Sequence, residues 1–221
     1  MSELAGKLAP LIDQSIERLN KKSFTPDPIA GKHFSRIVSV MSSAYKRHGF
    51  VLERAILEQL NTCPRLEVWD EREFQVTNTA DHIVDTAIKD PASILGTETG
   101  YQPGHRTLQV DAVVYDKETK TVRAYEIKRG SGLHDSGKRR SILRDLLCVQ
   151  ILLKSYAKQR GFDPAAAHSH IIFYYGKCSI PKPYSLTSDE LDSHFGWPIK
   201  GPVETVNDLF RQKLFSILTS A

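Results

Sequence analysis

The sequence predicts an α/β protein, with a mixed central β-sheet flanked by helices and an N-terminal helical extension. Three stretches carry that expectation. Residues 107–130, TLQVDAVVYDKETKTVRAYEIKRG, read as two strands rich in Val and Tyr joined by a polar turn. Residues 138–160 place Ile142, Leu146, Val149, Leu153 and Tyr156 at helical spacing. The apolar run SHIIFYY at 169–175 lies between Pro164 and Gly176, which suits a buried strand set parallel to a central one after a helical crossover.

The remaining elements follow in order. Residues 2–22 carry Leu4, Leu8, Leu11, Ile12, Ile16 and Leu19 at helical spacing, an amphipathic helix suited to scaffold or dimer contact. Pro26, Pro28 and Gly31 mark a connector, so residues 1–32 are expected to form a helix and linker before one domain at 33–221. Residues 33–61 read as one helix, or two separated at Gly49, with Lys46, Arg47 and His48 at the break. Leu66, Val68, Phe74 and Val76 alternate along a bent strand or strand pair at 65–77, and a short helix at 80–89 begins near Asp81. Residues 90–106 are long and irregular, as functional or disordered loops are. They feed into the 107–115 strand, which makes Thr97, Thr99, Tyr101, His105 and Arg106 candidate phosphate or base contacts. After 175 the chain is loop-like, with a short helix at 188–194 and a closing helix at 203–218.

At 221 residues the chain suffices for one well-buried domain, and 40% hydrophobic with 25% charged residues is ordinary for a globular protein. A net charge of +4 is compatible with a polyanionic partner without demanding one. Cys63, Cys148 and Cys178 are few and far apart, which argues against a disulfide framework or structural zinc. With no leader-like N-terminus and no apolar run of spanning length, the expectation is a cytoplasmic protein without membrane association.

The chemistry concentrates in the hairpin. If Asp116 pairs with Thr121, counting back sets Asp111 opposite Glu126, and period-two alternation puts Lys128 on Glu126's face. Facing carboxylates destabilise a sheet, and a hard divalent cation between them would reverse that. Lys138, Arg139, Arg140 and Arg144 crowd the first turns of the following helix, where cations oppose the macrodipole and a polyanion would offset the cost.

On these residues the sequence resembles the PD-(D/E)xK nuclease superfamily, which includes the type II restriction endonucleases. The match is Val110-Asp111, with valine where the family usually has proline, then Glu126-Ile127-Lys128 on the next strand. The order of elements agrees over roughly residues 33–176. The resemblance implies a restriction endonuclease-like core and a metal-dependent DNA endonuclease that hydrolyses phosphodiester bonds. Asp111, Glu126 and the carbonyl of Ile127 would bind Mg2+, with Mn2+ able to substitute. Lys128 would orient or deprotonate water and stabilise developing charge, while Glu53, with Glu58 as the fallback, would hold a water or second cation. Lys138, Arg139, Arg140, Arg144, Arg106, His105 and Tyr101 would contact DNA. By analogy with enzymes that cut two strands, a homodimer is expected. The alternatives are a repair, recombination or transposition nuclease of the same fold, or a non-catalytic DNA-binding protein. The exonuclease-like branch is not matched: the residue four after Gln150 is Lys154, and the tyrosine is Tyr156.

One competing motif spans residues 132–138, GLHDSGK, which has the spacing of a phosphate loop. Its next residue is Arg139 where a magnesium-binding hydroxyl is required, so nucleotide hydrolysis is disfavoured. Nucleophile-based hydrolysis has no supporting elbow motif.

Overall fold

The structure is a computed structural model that describes residues 2–219. The chain forms two compact units: residues up to Gln59 together with those from Phe195 onward, and Leu60–His194. Residue 32, the expected boundary, lies inside the first unit.

The helical unit contains α1 (Glu3–Asn20), α2 (Gly31–Leu60, whose last residue begins the second unit) and α6 (Lys200–Thr219). Ser2 caps α1 by accepting the Ala5 N–H at 3.2 Å. Of the predicted leucine and isoleucine stripe of α1, Leu4, Leu8, Ile12, Ile16 and Leu19 are buried while Leu11 is half-buried, and α1 packs against α6. α2 is a single helix rather than two. Gly49 in a helix interior costs about 1 kcal/mol relative to alanine, and the fully buried Val51, Leu52, Ala55 and Ile56 follow it directly. His48 is also internal: its Nε2 meets Asn207 Oδ1 at 3.1 Å, and its ring lies edge-on to Phe210.

The second unit holds a mixed five-stranded sheet in the order β1-β2-β3-β4-β5: β1 (Leu66–Val76), β2 (Arg106–Asp116), β3 (Thr121–Lys128), β4 (Ala166–Phe173) and β5 (Ser185–Thr187). β1 and β3 flank β2 antiparallel, while β4 runs parallel to β3 and β5 parallel to β4. The parallel β3–β4 pair requires a crossover, supplied by α4 (Ser136–Gln159). α3 (Asn78–Ala87) packs beside α4, and α5 (Ser188–Phe195) follows β5. β5 lies within residues expected to be loop; at three residues it is too short to show alternation.

One face of the sheet buries Val113, Tyr115, Val122, Ala124, Ile171 and Phe173 with Leu146, Leu147, Val149 and Leu153 of α4. Gln150, buried on α4, ties the helix to β4: its Nε2 donates to Ala167 O and its Oε1 accepts from Ser169 N, each at 2.6 Å. The 90–105 segment is laced onto neighbouring elements. Thr99 N donates to Ile151 O at 2.8 Å, and Tyr101 N to Ser155 Oγ at 2.9 Å. Gly104 runs so close to β1 that a Cβ there would sit 2.2 Å from Val76 O. Among the described residues no helix is long and apolar enough to cross a membrane.

Candidate active site

The turn registers the hairpin as the sequence predicts. Asp116 pairs with Thr121, and the ladder runs back to Ala112 opposite Tyr125. There β2 becomes irregular. Against β1, Val113 faces Trp69 but Val110 faces Glu71, so β2 carries one extra residue at this point, and β1 compensates between Glu71 and Phe74. Such a bulge re-aims the side chains beside it. Asp111 lies in it, buried, and its Oδ2 accepts the Ile127 N–H at 2.7 Å, so the carboxylate takes over where the regular β2–β3 pairing ends. Gln109 Nε2 makes a long 3.4 Å contact to Asp111 Oδ1.

Glu126, one residue before Ile127, is half-buried and forms an ion pair with Lys128. Burial pushes its pKa up, the Asp111 carboxylate pushes it further, and Lys128 opposes both. The hairpin therefore brings Asp111, Glu126 and Lys128 into one electrostatic group. A cavity of about 260 Å³ opens beside them, lined by Glu126, Lys128, Lys138 and Asp145 over an apolar floor that includes Ile142 and Leu146. Lys138 reaches this site from the first turn of α4, as its place after the hairpin suggests. Asp145 was not identified from the sequence, where it reads as one helix charge among many.

Among the described residues no three His, Cys, Asp or Glu side chains form a group that could hold a metal. The set here is two carboxylates. Carboxylate oxygens suit Mg2+ or Mn2+; the raised pKa of Glu126 comes first from burial and second from the Asp111 charge.

The other candidate residues are placed differently. Arg106 forks onto Asp81, Nε to Oδ2 at 3.0 Å and NH2 to Oδ1 at 2.8 Å, and its NH1 meets Asp145 at 2.9 Å. Arg144 reaches Asp81 at 2.8 Å and Asp85 at 2.6 Å, while His105 meets Asp81 at 3.0 Å. These three side chains, expected at DNA, are engaged by carboxylates from α3 and α4. The buried Asp81 at their centre is held down to about 2, chiefly by Arg106. Nothing in the short 80–89 helix pattern marks Asp81 as a hub, because its partners come from two other segments. The Tyr101 hydroxyl accepts the Gln75 N–H at 2.9 Å, and its ring packs on Phe74 and Tyr156, so it is a packing residue in this structure. Arg139 and Arg140 are exposed and line a shallow groove with Lys89. Glu53 is half-buried on α2 of the helical unit, as is Glu58, which pairs with Lys7 at 2.5 Å and Arg54 at 3.1 Å.

The phosphate-loop alternative loses further ground. Asp135 caps α4 by accepting the Lys138 N–H at 2.9 Å, putting a carboxylate where a phosphate oxygen would bind. On the other face of β4, His170 lies between His168 and His194, and Tyr125 OH meets His194 Nε2 at 2.8 Å. Burial lowers the pKa of His170 to about 3 and of His194 to about 4, which keeps both neutral near pH 7. Cys148 is likewise inert: burial and Asp81 push its thiol up to about 12. Comparison of the chain with family models, with curated proteins and with solved structures gives no match.

Proposed function

We propose that this protein is a metal-dependent DNA endonuclease of restriction type, built on a restriction endonuclease-like core and acting as a homodimer. The observation that carries the reading is the hairpin, which brings Asp111, Glu126 and Lys128 together beside a cavity also lined by Lys138. Asp111 and Glu126, with the carbonyl of Ile127, would hold Mg2+ or Mn2+. Bound there, the cation would polarise a scissile phosphate and favour ionisation of water. Lys128, released from Glu126 as cation and substrate enter, would turn its ammonium toward the phosphate and stabilise charge developing on it. Lys138 would meet a neighbouring phosphate, and Arg139 and Arg140 would add affinity without sequence readout.

The test is cleavage of supercoiled plasmid by wild type and Lys128→Ala, with magnesium, with manganese and with chelator. Metal-dependent cutting by wild type alone is expected, and equal activity in the two proteins would refute the assignment. The Asp111–Ile127 bond and the Glu126–Lys128 pair favour one second reading, a DNA-binding protein in which these groups hold the hairpin and cut nothing. Metal-independent binding without cleavage would select it.

A further inference from the structure

We infer that the helical unit carries a nucleic-acid backbone site of its own, in the groove between α1 and α2. The groove has a volume of about 670 Å³ and is lined by Arg18 in the last turn of α1, Lys21 and Lys22 just after it, and Lys46, Arg47 and Phe50 from the middle of α2. Among the described residues five cations face it and no carboxylate lines it.

The end of α1 explains part of this charge, since cations there complement the helix macrodipole. It does not explain Lys46 and Arg47, which lie mid-helix. Arg18, Lys46 and Arg47 form no ion pair among the described residues. Lys21 is engaged by Glu17 in an exposed i, i+4 pair, which contributes little, and Lys22 bonds to Ser43. The groove therefore concentrates positive charge that internal partners leave largely uncompensated.

The other lining groups point to the kind of anion. Gln14, Ser23 and Ser43 are neutral hydrogen-bonding groups suited to phosphate oxygens, and Phe50 is 51% exposed at the groove's edge. A cationic channel edged by an aromatic ring fits a phosphodiester strand, its backbone along the cations and a base against the ring. An anionic membrane surface would be better met by a convex basic face with projecting apolar side chains. The acidic side chains of a peptide would by themselves offer no aromatic face to stack on Phe50, which every nucleotide does.

This site goes beyond the nuclease reading and does not depend on cleavage, so binding is measured in chelator. Full-length protein would be titrated against fluorescent single-stranded and duplex oligonucleotides over a range of salt concentrations. Anionic phosphatidylserine vesicles would serve as a separate arm. For Lys46→Gln/Arg47→Gln, affinity should fall about tenfold or more, and the slope of log K against log salt should shrink by roughly 1.4 to 1.8. Phe50→Ala should weaken single-strand binding by about fivefold or more with little change in slope. Unchanged thermal unfolding would establish that both variants fold. Affinity and slope equal to wild type in the double variant would overturn the site, as would vesicle binding without oligonucleotide binding. Loss of plasmid cleavage in Lys128→Ala with oligonucleotide binding intact would leave this inference standing.

Discussion

Asp81 illustrates how a single carboxylate can organise a region. It accepts from Arg106, Arg144, His105 and the Cys148 thiol, and its pKa lies near 2 rather than the ordinary 3.8. A carboxylate depressed in the folded state stabilises it above the unfolded pKa, and that contribution is lost as pH falls from about 3.8 to about 2. A shift of this size corresponds to about 2 kcal/mol. Asp81→Asn should lower the unfolding midpoint by roughly 4–8 °C at pH 7, measured calorimetrically, and should flatten the acid limb in that window. Glu126 has the opposite sign. Its folded pKa is raised, so ionisation costs stability as pH rises from 4.5 through the folded value. Glu126→Gln should therefore be at least as stable as wild type at pH 7 in urea titrations while losing metal-dependent cleavage. Destabilisation by the glutamine would indicate that the Lys128 pair outweighs burial and the Asp111 charge.

At the scale of elements, the α4–β4 crossover depends on Gln150, which satisfies one carbonyl and one N–H of β4 at 2.6 Å each. Gln150→Leu preserves approximate size but leaves both backbone groups unpaired inside the fold. At 1–3 kcal/mol for each orphaned group, the expected loss is about 3 kcal/mol, read from the denaturant midpoint. The sequence marks this glutamine as one member of an absent catalytic motif; its structural role emerges only when β4 is laid beside α4. Gly104 makes a comparable point for the 90–105 segment. Gly104→Ala would drive a methyl group into the Val76 carbonyl, costing about 2 kcal/mol or more and loosening the entry to β2. Neither position looks special by residue type, because the reason for each lies on a strand distant in sequence.

For the whole molecule, acid sensitivity should extend above the carboxylate range. His170 and His194 are neutral and half-buried, with pKa values near 3 and 4, and they share their surroundings with His168, Arg123, Lys182, Glu190 and the Tyr125 hydroxyl. Their unfolded-state pKa is near 6.5, so stability should decline as pH falls from 6.5 toward 4. His170→Phe should reduce that slope in urea titrations across the range, and it also removes a buried Nδ1 that has no hydrogen-bond partner among the described residues. An unchanged slope would place the titrating groups elsewhere.

By itself the sequence determined the elements whose information is local: the α1 stripe, the α4 stripe, the hairpin and its register, and the parallel strand after a helical crossover. Side-chain periodicity and turn length specify these without distant partners. It also singled out Asp111, Glu126 and Lys128, because alternation along two strands joined by one turn limits which residues can share a patch. Tertiary structure decided the bulge that turns Asp111 toward the Ile127 N–H and the capture of Arg106, Arg144 and His105 by carboxylates. It also decided the continuity of α2 through Gly49 and the joining of α1 to α6 from opposite ends of the chain. A charge run looks alike in sequence whether it meets solvent, a phosphate or a carboxylate from another segment. Only the folded chain brings the partner that distinguishes them.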